Sequence, residues 1–217
     1  MKENKLFILT ILLLILPLFY ASGQKTISAT HIKIIPPIDG KADDVISLMT
    51  SYSFYQLEPL IGAPSPSETK IVLMQSKDTL YLAIASIQKS VVTGKIQLRD
   101  KFAQSDDGVF LILGTFNDNR NAYCFGVNPL GTQADFRLMD DGRTLDYNWD
   151  TEWLSKSAIY DWGWFTEIAI PFKSIKFKKG LKDWQIDFRR IIREDSEVSY
   201  WAGSATEEFK VSLAGNL

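Results

Sequence analysis

The sequence predicts an all-β protein, an antiparallel β-sandwich of jelly-roll-like build with roughly ten strands. Three observations point there. Short runs rich in β-branched and aromatic residues recur along the chain, turn-forming residues separate them, and no window of helical length shows a strong 3.6-residue period. Strands are expected near Thr26–Ile35, Lys70–Gln75, Thr79–Ile87, Gly108–Phe116, Asn121–Asn128, Thr132–Leu138, Ser157–Tyr160, Trp164–Ile170, Trp184–Ile192 and Val198–Ala202. A short helical turn is expected over Asp43–Met49.

The strands differ in their patterns. In Gly108–Phe116, Val109, Leu111 and Leu113 share one face while Phe110, Ile112 and Phe116 share the other. Both faces are apolar, so this strand belongs in the middle of a sheet. Thr132–Leu138 alternates, which predicts Ala134, Phe136 and Leu138 inward and Gln133, Asp135 and Arg137 outward. Asn128-Pro129-Leu130-Gly131 precedes it, with proline second and glycine fourth, as a type I turn favours. That turn makes a hairpin of the strands on either side. Ser51–Thr69, Lys89–Gln104 and Asp140–Trp153 read as long connections, a place where function often resides.

Residues 1–23 have the order of a cleavable secretory signal. Lys2 and Lys5 are basic, Leu6 to Tyr20 is apolar apart from Thr10 and Pro17, and Ala21-Ser22-Gly23 offers small residues before a cut at Gln24. The apolar run is short for a membrane span. A secreted or periplasmic location follows, with residues 24–217 as one domain. The 217-residue chain has a formal net charge of −2, which argues against nucleic acid or an anionic membrane as its partner. Cys124 is the only cysteine, so no internal disulfide can form.

Several motifs then fall in a specific order. Ile38-Asp39-Gly40-Lys41 is followed by Asp43-Asp44, then Arg99-Asp100 and Asp107. Phe125-Gly126-Val127-Asn128-Pro129, Gly163-Trp164, Glu167 through Phe172 and Trp184 through Arg190 complete the series. Together, over Ile34 to Trp201, they resemble the family 9 carbohydrate-binding modules. A closer likeness is to the version at the front of longer Gram-negative bacterial proteins, where a membrane β-barrel is expected to follow. The resemblance implies non-catalytic carbohydrate binding, with service to polysaccharide breakdown, structural calcium, and an outer-membrane barrel or other exported partner. The chain departs from the pattern in places. Val45, Ile46 and Leu48 stand where a tryptophan is usual, and Gly114 stands where an aspartate is common. The missing tryptophan favours an alternative, a structural or docking domain that has lost its sugar. A glycoside hydrolase is the second alternative.

Candidate sites follow from residue chemistry. All six tryptophans lie after residue 148. Flat indole faces stack on the C–H patches of sugar rings while nearby polar groups bond the hydroxyls. Trp149 and Trp153, flanking Asp150, Thr151 and Glu152, suit such a platform, or alternatively cap the core. Trp201, Arg99 and Asn128 are further candidate carbohydrate contacts, whereas Trp164 and Trp184 open apolar strand faces and suit the core. If their segment is extended, Asp146, Asn148 and Asp150 share one face and offer three oxygens to calcium, or else form a solvated acidic loop. Arg190 shares parity with Ile186 and Phe188, so it faces the apolar side and needs a partner. Glu167 is the acid expected to pair with it; alternatively Arg190 or Arg99 lines the cleft. The adjacent acids Asp106-Asp107, Asp140-Asp141 and Glu207-Glu208 point apart in extended chain, so they are not preformed catalytic pairs, and no catalytic residue is assigned.

Overall fold

Two sheets face each other in the computed structural model, which describes residues 24–202 and 207–217. The expected signal, residues 1–23, lies outside the described residues. In chain order the strands are β1 (Thr30–His31), β2 (Thr50–Tyr52), β3 (Tyr55–Glu58), β4 (Thr69–Gln75), β5 (Thr79–Ile87), β6 (Gly108–Gly114), β7 (Ala122–Val127), β8 (Gln133–Met139), β9 (Thr144–Asp146), β10 (Leu154–Tyr160), β11 (Gly163–Pro171), β12 (Gln185–Ile192), β13 (Glu197–Tyr200) and β14 (Gly215–Asn216). The first sheet runs β1-β4-β5-β11-β10, with β2 also on β4; the second runs β3-β13-β12-β6-β7-β8-β9, with β14 on β12. Apart from β1 on β4, these pairings are antiparallel. The architecture is the all-β sandwich expected.

The main core fills the space between the sheets. Leu80, Leu82 and Ile84 of β5 and Trp164, Ile168 and Ile170 of β11 meet Val109, Leu111, Leu113, Phe125 and Phe188 of the second sheet. Each sheet also buries its outer face. Loops cover Phe110, Ile112, Cys124 and Phe136 of the second sheet with Phe102, Phe209 and Val211. The segment before β2 covers Val72, Tyr81, Ala83 and Phe165 of the first with Ala42 and Val45. This double burial explains the near-continuous apolar runs of β5, β6 and β7. It also fixes a glycine: a Cβ on Gly126 would come within 2.3 Å of the Phe110 ring.

Central β6 lies between β12 and β7, as expected. The hairpin turn forms with Gly131 at φ +79° and its N–H donating to the Asn128 carbonyl at 2.9 Å. A 3-10 turn at Ile46–Leu48 stands within the expected helical segment.

The structure corrects other expectations. Thr26–Ile35 contributes only the two-residue β1 and an isolated bridge at Thr26. Strands β2, β3, β9 and β14 went unanticipated, because they are short and mostly lack the apolar alternation that marks a longer strand. β6 ends at Gly114, and Phe116 is 37% exposed. On β8, Ala134, Phe136 and Leu138 are buried and Arg137 is exposed, as expected, but Asp135 is buried. Ala134, Phe136 and Leu138 pack on the outer face, whereas Asp135 pairs across from Phe125 and is buried on the side of the main core.

Candidate functional site

The site centres on Arg99, in the loop before β6. Two hydrogen bonds fasten that loop to β8: Asp100 N–H donates to the Gln133 carbonyl at 3.0 Å, and Asp135 N–H donates to Asp100 Oδ1 at 3.0 Å. Asp100 sits at φ +62°, a left-handed conformation that aspartate tolerates better than most residues. The guanidinium of Arg99 then reaches across β8. It donates to Gln133 Oε1, to Asp135 Oδ1, to Asp150 Oδ1 at 2.7 Å and to the Thr151 carbonyl at 3.2 Å.

Asp135 is the buried end of this cluster. Burial pushes its carboxyl above the ordinary aspartate range, opposed by Arg99, the Thr151 N–H and the Trp153 indole, with Asp150 adding to the rise. Its second oxygen accepts from Thr151 N–H at 2.9 Å. The Thr151 hydroxyl donates to the Ser174 carbonyl at 3.0 Å, and the Ser174 hydroxyl to the Glu152 carbonyl at 2.6 Å. The loop is thereby pinned on both sides. It bounds an open cleft of about 680 Å³ lined by Arg99, Asp150 to Leu154, Pro171 and Lys173. Donors (Arg99, Lys173), acceptors (Asp150, Glu152) and apolar walls (Leu154, Pro171) thus meet in one hollow. That mixture suits a neutral, hydroxyl-rich ligand.

The structure brings Arg99, Asp150 and Trp153 together there, but in changed roles. Trp153 is 5% exposed, with its ring 5.3 Å from Phe125 at 77°. Trp149 is half-buried, 4.7 Å from Tyr123 and 5.9 Å from Phe125. The pair caps the core, and Trp153 offers no open face for stacking. Trp201 is buried elsewhere, edge-on to Tyr52 and Phe188. Trp164 is buried as expected, whereas Trp184 is only half-buried, against Phe172 and Phe177.

Asn128 is also corrected. Its amide donates to the Ile96 carbonyl and Asp106 Oδ2, both at 2.8 Å, and its oxygen accepts from Leu130 N–H at 3.0 Å and Thr132 N–H at 2.8 Å. Two donors and two acceptor sites are all an asparagine amide has, so nothing remains for a sugar.

Asp146, Asn148 and Asp150 do not fit a calcium ion as arranged. The chain turns after Asp146, so the alternation of an extended segment does not apply. Asp146 pairs with Arg137, which holds its carboxyl below the usual range, and Asp150 pairs with Arg99. Each carboxylate already has a cation, and they turn to different ones. Among the described residues, no group of three acidic, histidine or cysteine side chains is placed to hold a metal.

Glu167 and Arg190 do not meet. On β11, Trp164, Ile168 and Ile170 face the main core, so odd-numbered Glu167 faces the other way. Its carboxylate accepts from Asp39 N–H at 2.9 Å, Gly40 N–H at 2.7 Å and the Tyr81 hydroxyl at 2.7 Å. This explains the Asp-Gly motif: its backbone amides close over a buried carboxylate. Arg190 does face the core. It donates to the Glu68 carbonyl and the Thr69 hydroxyl, both at 2.8 Å, to the Ile87 carbonyl at 3.2 Å and to Gln88 Oε1 at 3.0 Å, tying the two sheets together. Gln88 in turn donates to Asp107 at 2.9 Å.

The adjacent acids turn to separate partners. Asp106 accepts from Lys95 and Ile96 N–H, while Asp107 accepts from Thr93 and Arg193 N–H. Asp140 pairs with Arg120 and Asp141 accepts from Ser212. Glu207 pairs with Lys210 and Glu208 with Arg189.

No family profile matches the chain, and no curated protein matches it in sequence. Solved structures do match. A proposed carbohydrate-binding protein from Bacteroides uniformis superposes with TM-score 0.69 at 12% identity, over 90% of this chain and 99% of that one. A family 9 carbohydrate-binding module from Caldicellulosiruptor kristjanssonii, in complex with cellotriose, gives TM-score 0.60 at 16% identity, over 87% and 92%. The same module with glucose gives 0.60 at 15%, over 87% and 94%. The likeness is one of fold. This chain has the same β-sandwich fold as these neighbours.

Proposed function

We propose that this protein binds carbohydrate without acting on it, and that its ligand enters the Arg99 cleft. One observation carries the reading: an open hollow with fixed hydroxyl partners on a fold whose solved examples hold glucose and cellotriose. The cluster of Arg99, Asp135 and Thr151 holds the hollow's floor in place, so little ordering cost falls on binding. Asp150 and Glu152 accept hydrogen bonds from hydroxyls, and Arg99 and Lys173 donate them. Leu154, 60% exposed, offers an apolar surface for the C–H face of a ring.

We also propose export, on the strength of the basic, apolar and small-residue order of residues 1–23, and service to polysaccharide breakdown by exported partners, among them an outer-membrane barrel. Affinity electrophoresis of the protein through gels containing soluble neutral glucans tests the binding reading. Retardation by at least one glucan, reduced in Asp150→Asn, is expected. Migration unchanged by any neutral glycan would favour the docking domain.

A further inference from the structure

A ridge of positive charge adjoins the Arg99 cleft on a chain that is negative as a whole. Residues 173–183 hold five lysines, Lys173, Lys176, Lys178, Lys179 and Lys182, against one acid, Asp183. All five are exposed. Among the described residues, Lys41, Lys70 and Lys210 form ion pairs, and none of these five does.

The ridge is held in place by its backbone. The Thr115 hydroxyl donates to the Lys176 carbonyl at 2.6 Å, Lys176 N–H donates to the Tyr123 hydroxyl at 3.2 Å, and Lys178 N–H donates to the Thr115 carbonyl at 3.2 Å. Beneath it lies a hollow of about 450 Å³ walled by Phe172, Phe177 and Trp184, with Lys178, Lys179 and Lys182 at its rim. The three rings form one aromatic group with centroids 5.6 to 6.4 Å apart, and Phe177 is 41% exposed. Phe172 belongs to the 3-10 turn Phe172–Ser174, whose Lys173 lines the Arg99 cleft. The two hollows therefore lie on either side of one turn.

We propose that this second hollow extends the ligand site and selects polyanionic glycans, those carrying carboxylate or sulfate groups. The inference rests on the carbohydrate-binding reading and adds the ligand's charge. Unpaired like charges held close repel one another, and a chain with repeating negative charge relieves that repulsion. Aromatic rings below the charges meet the apolar faces of the sugars. The geometry suits a long ligand that leaves the Arg99 cleft and crosses the lysine ridge.

The test compares polygalacturonate with its fully methyl-esterified form, which keeps the backbone and removes the charge. At low salt the protein binds the acid form at least about ten-fold more tightly, and salt erodes the difference. Lys178→Gln, Lys179→Gln and Lys182→Gln together abolish that preference without altering the melting temperature or the affinity for neutral glucans. A triple variant that keeps the preference overturns the proposal. So does equal affinity for single-stranded DNA or for anionic phosphatidylglycerol vesicles, which would make the ridge a general polyanion surface. Neutral glucans bound and polygalacturonate refused would overturn this inference alone. Failure with every glycan would overturn it together with the reading it rests on.

Discussion

Arg99 and Asp135 form an ion pair across the face of β8, with the carboxylate buried and the guanidinium half-exposed. The pair joins a long loop to a strand and sets the floor of the cleft. Removing only the guanidinium leaves a buried carboxylate without its cation. Arg99→Met is therefore expected to cost about 2–3 kcal/mol, below the usual figure for a buried pair because Arg99 is partly exposed to solvent. Arg99→Met with Asp135→Asn should recover part of that loss. Chemical denaturation of the two variants measures it.

Glu167 and Arg190 serve different layers of the molecule. Their substitutions should add within about 0.5 kcal/mol in a double-mutant cycle, as independent sites do. Glu167→Gln alone is expected to cost about 1–3 kcal/mol, because the bonds from Asp39 and Gly40 N–H lose their charged acceptor and the amide NH₂ must face the Tyr81 hydroxyl, which now donates. A large coupling energy would restore the ion pair that the sequence suggested.

That case shows where the sequence was legible and where it was not. Strand parity placed Arg190 on the core face correctly. It could not pair Arg190 with anything, because its partners are two carbonyls, a hydroxyl and an amide around the start of β4 and the end of β5, far away in sequence. The same limit hid the burial of Asp135 on β8. Alternation separates Asp135 from Phe136, but both outer faces are covered by loops here, so apolar character does not tell which face meets the other sheet. Arg99, Asp150 and Trp153 each stood out in loops by residue chemistry, Asp150 as a calcium ligand, but nothing in the sequence joined the three. The role of Asp135 was not legible, since an aspartate in an alternating strand reads as a solvent-facing residue.

Trp153 and Leu154, neighbours at the cleft, differ in what they support. Trp153→Ala removes a buried ring against Phe125 and is expected to cost about 3–5 kcal/mol. Leu154→Ala, at the exposed rim, should leave stability within about 0.5 kcal/mol. Thermal melts of the two variants separate wall from rim.

Asp146 supplies a pH test. Arg137 holds its carboxyl below the ordinary value of 3.8, chiefly through the side-chain hydrogen bond. A depressed carboxyl contributes stability above its unfolded value and loses it as pH falls through the folded one, so this contribution disappears only below pH 3.8. NMR titration should show Asp146 titrating low, and Arg137→Gln should raise it. Millimolar calcium should leave its resonance in place. A calcium-dependent shift would mean that the carboxylate exchanges Arg137 for the metal.

The most direct test of the account is residue-resolved NMR titration of the protein with cellotriose. The account predicts saturable shifts gathered at Arg99, Thr151, Glu152, Leu154 and Lys173, about ten-fold weaker binding in Asp150→Asn, as loss of one charged acceptor allows, and no loss of folding. Shifts gathered at another surface, or none at millimolar sugar in a folded protein with any neutral glycan, would contradict it.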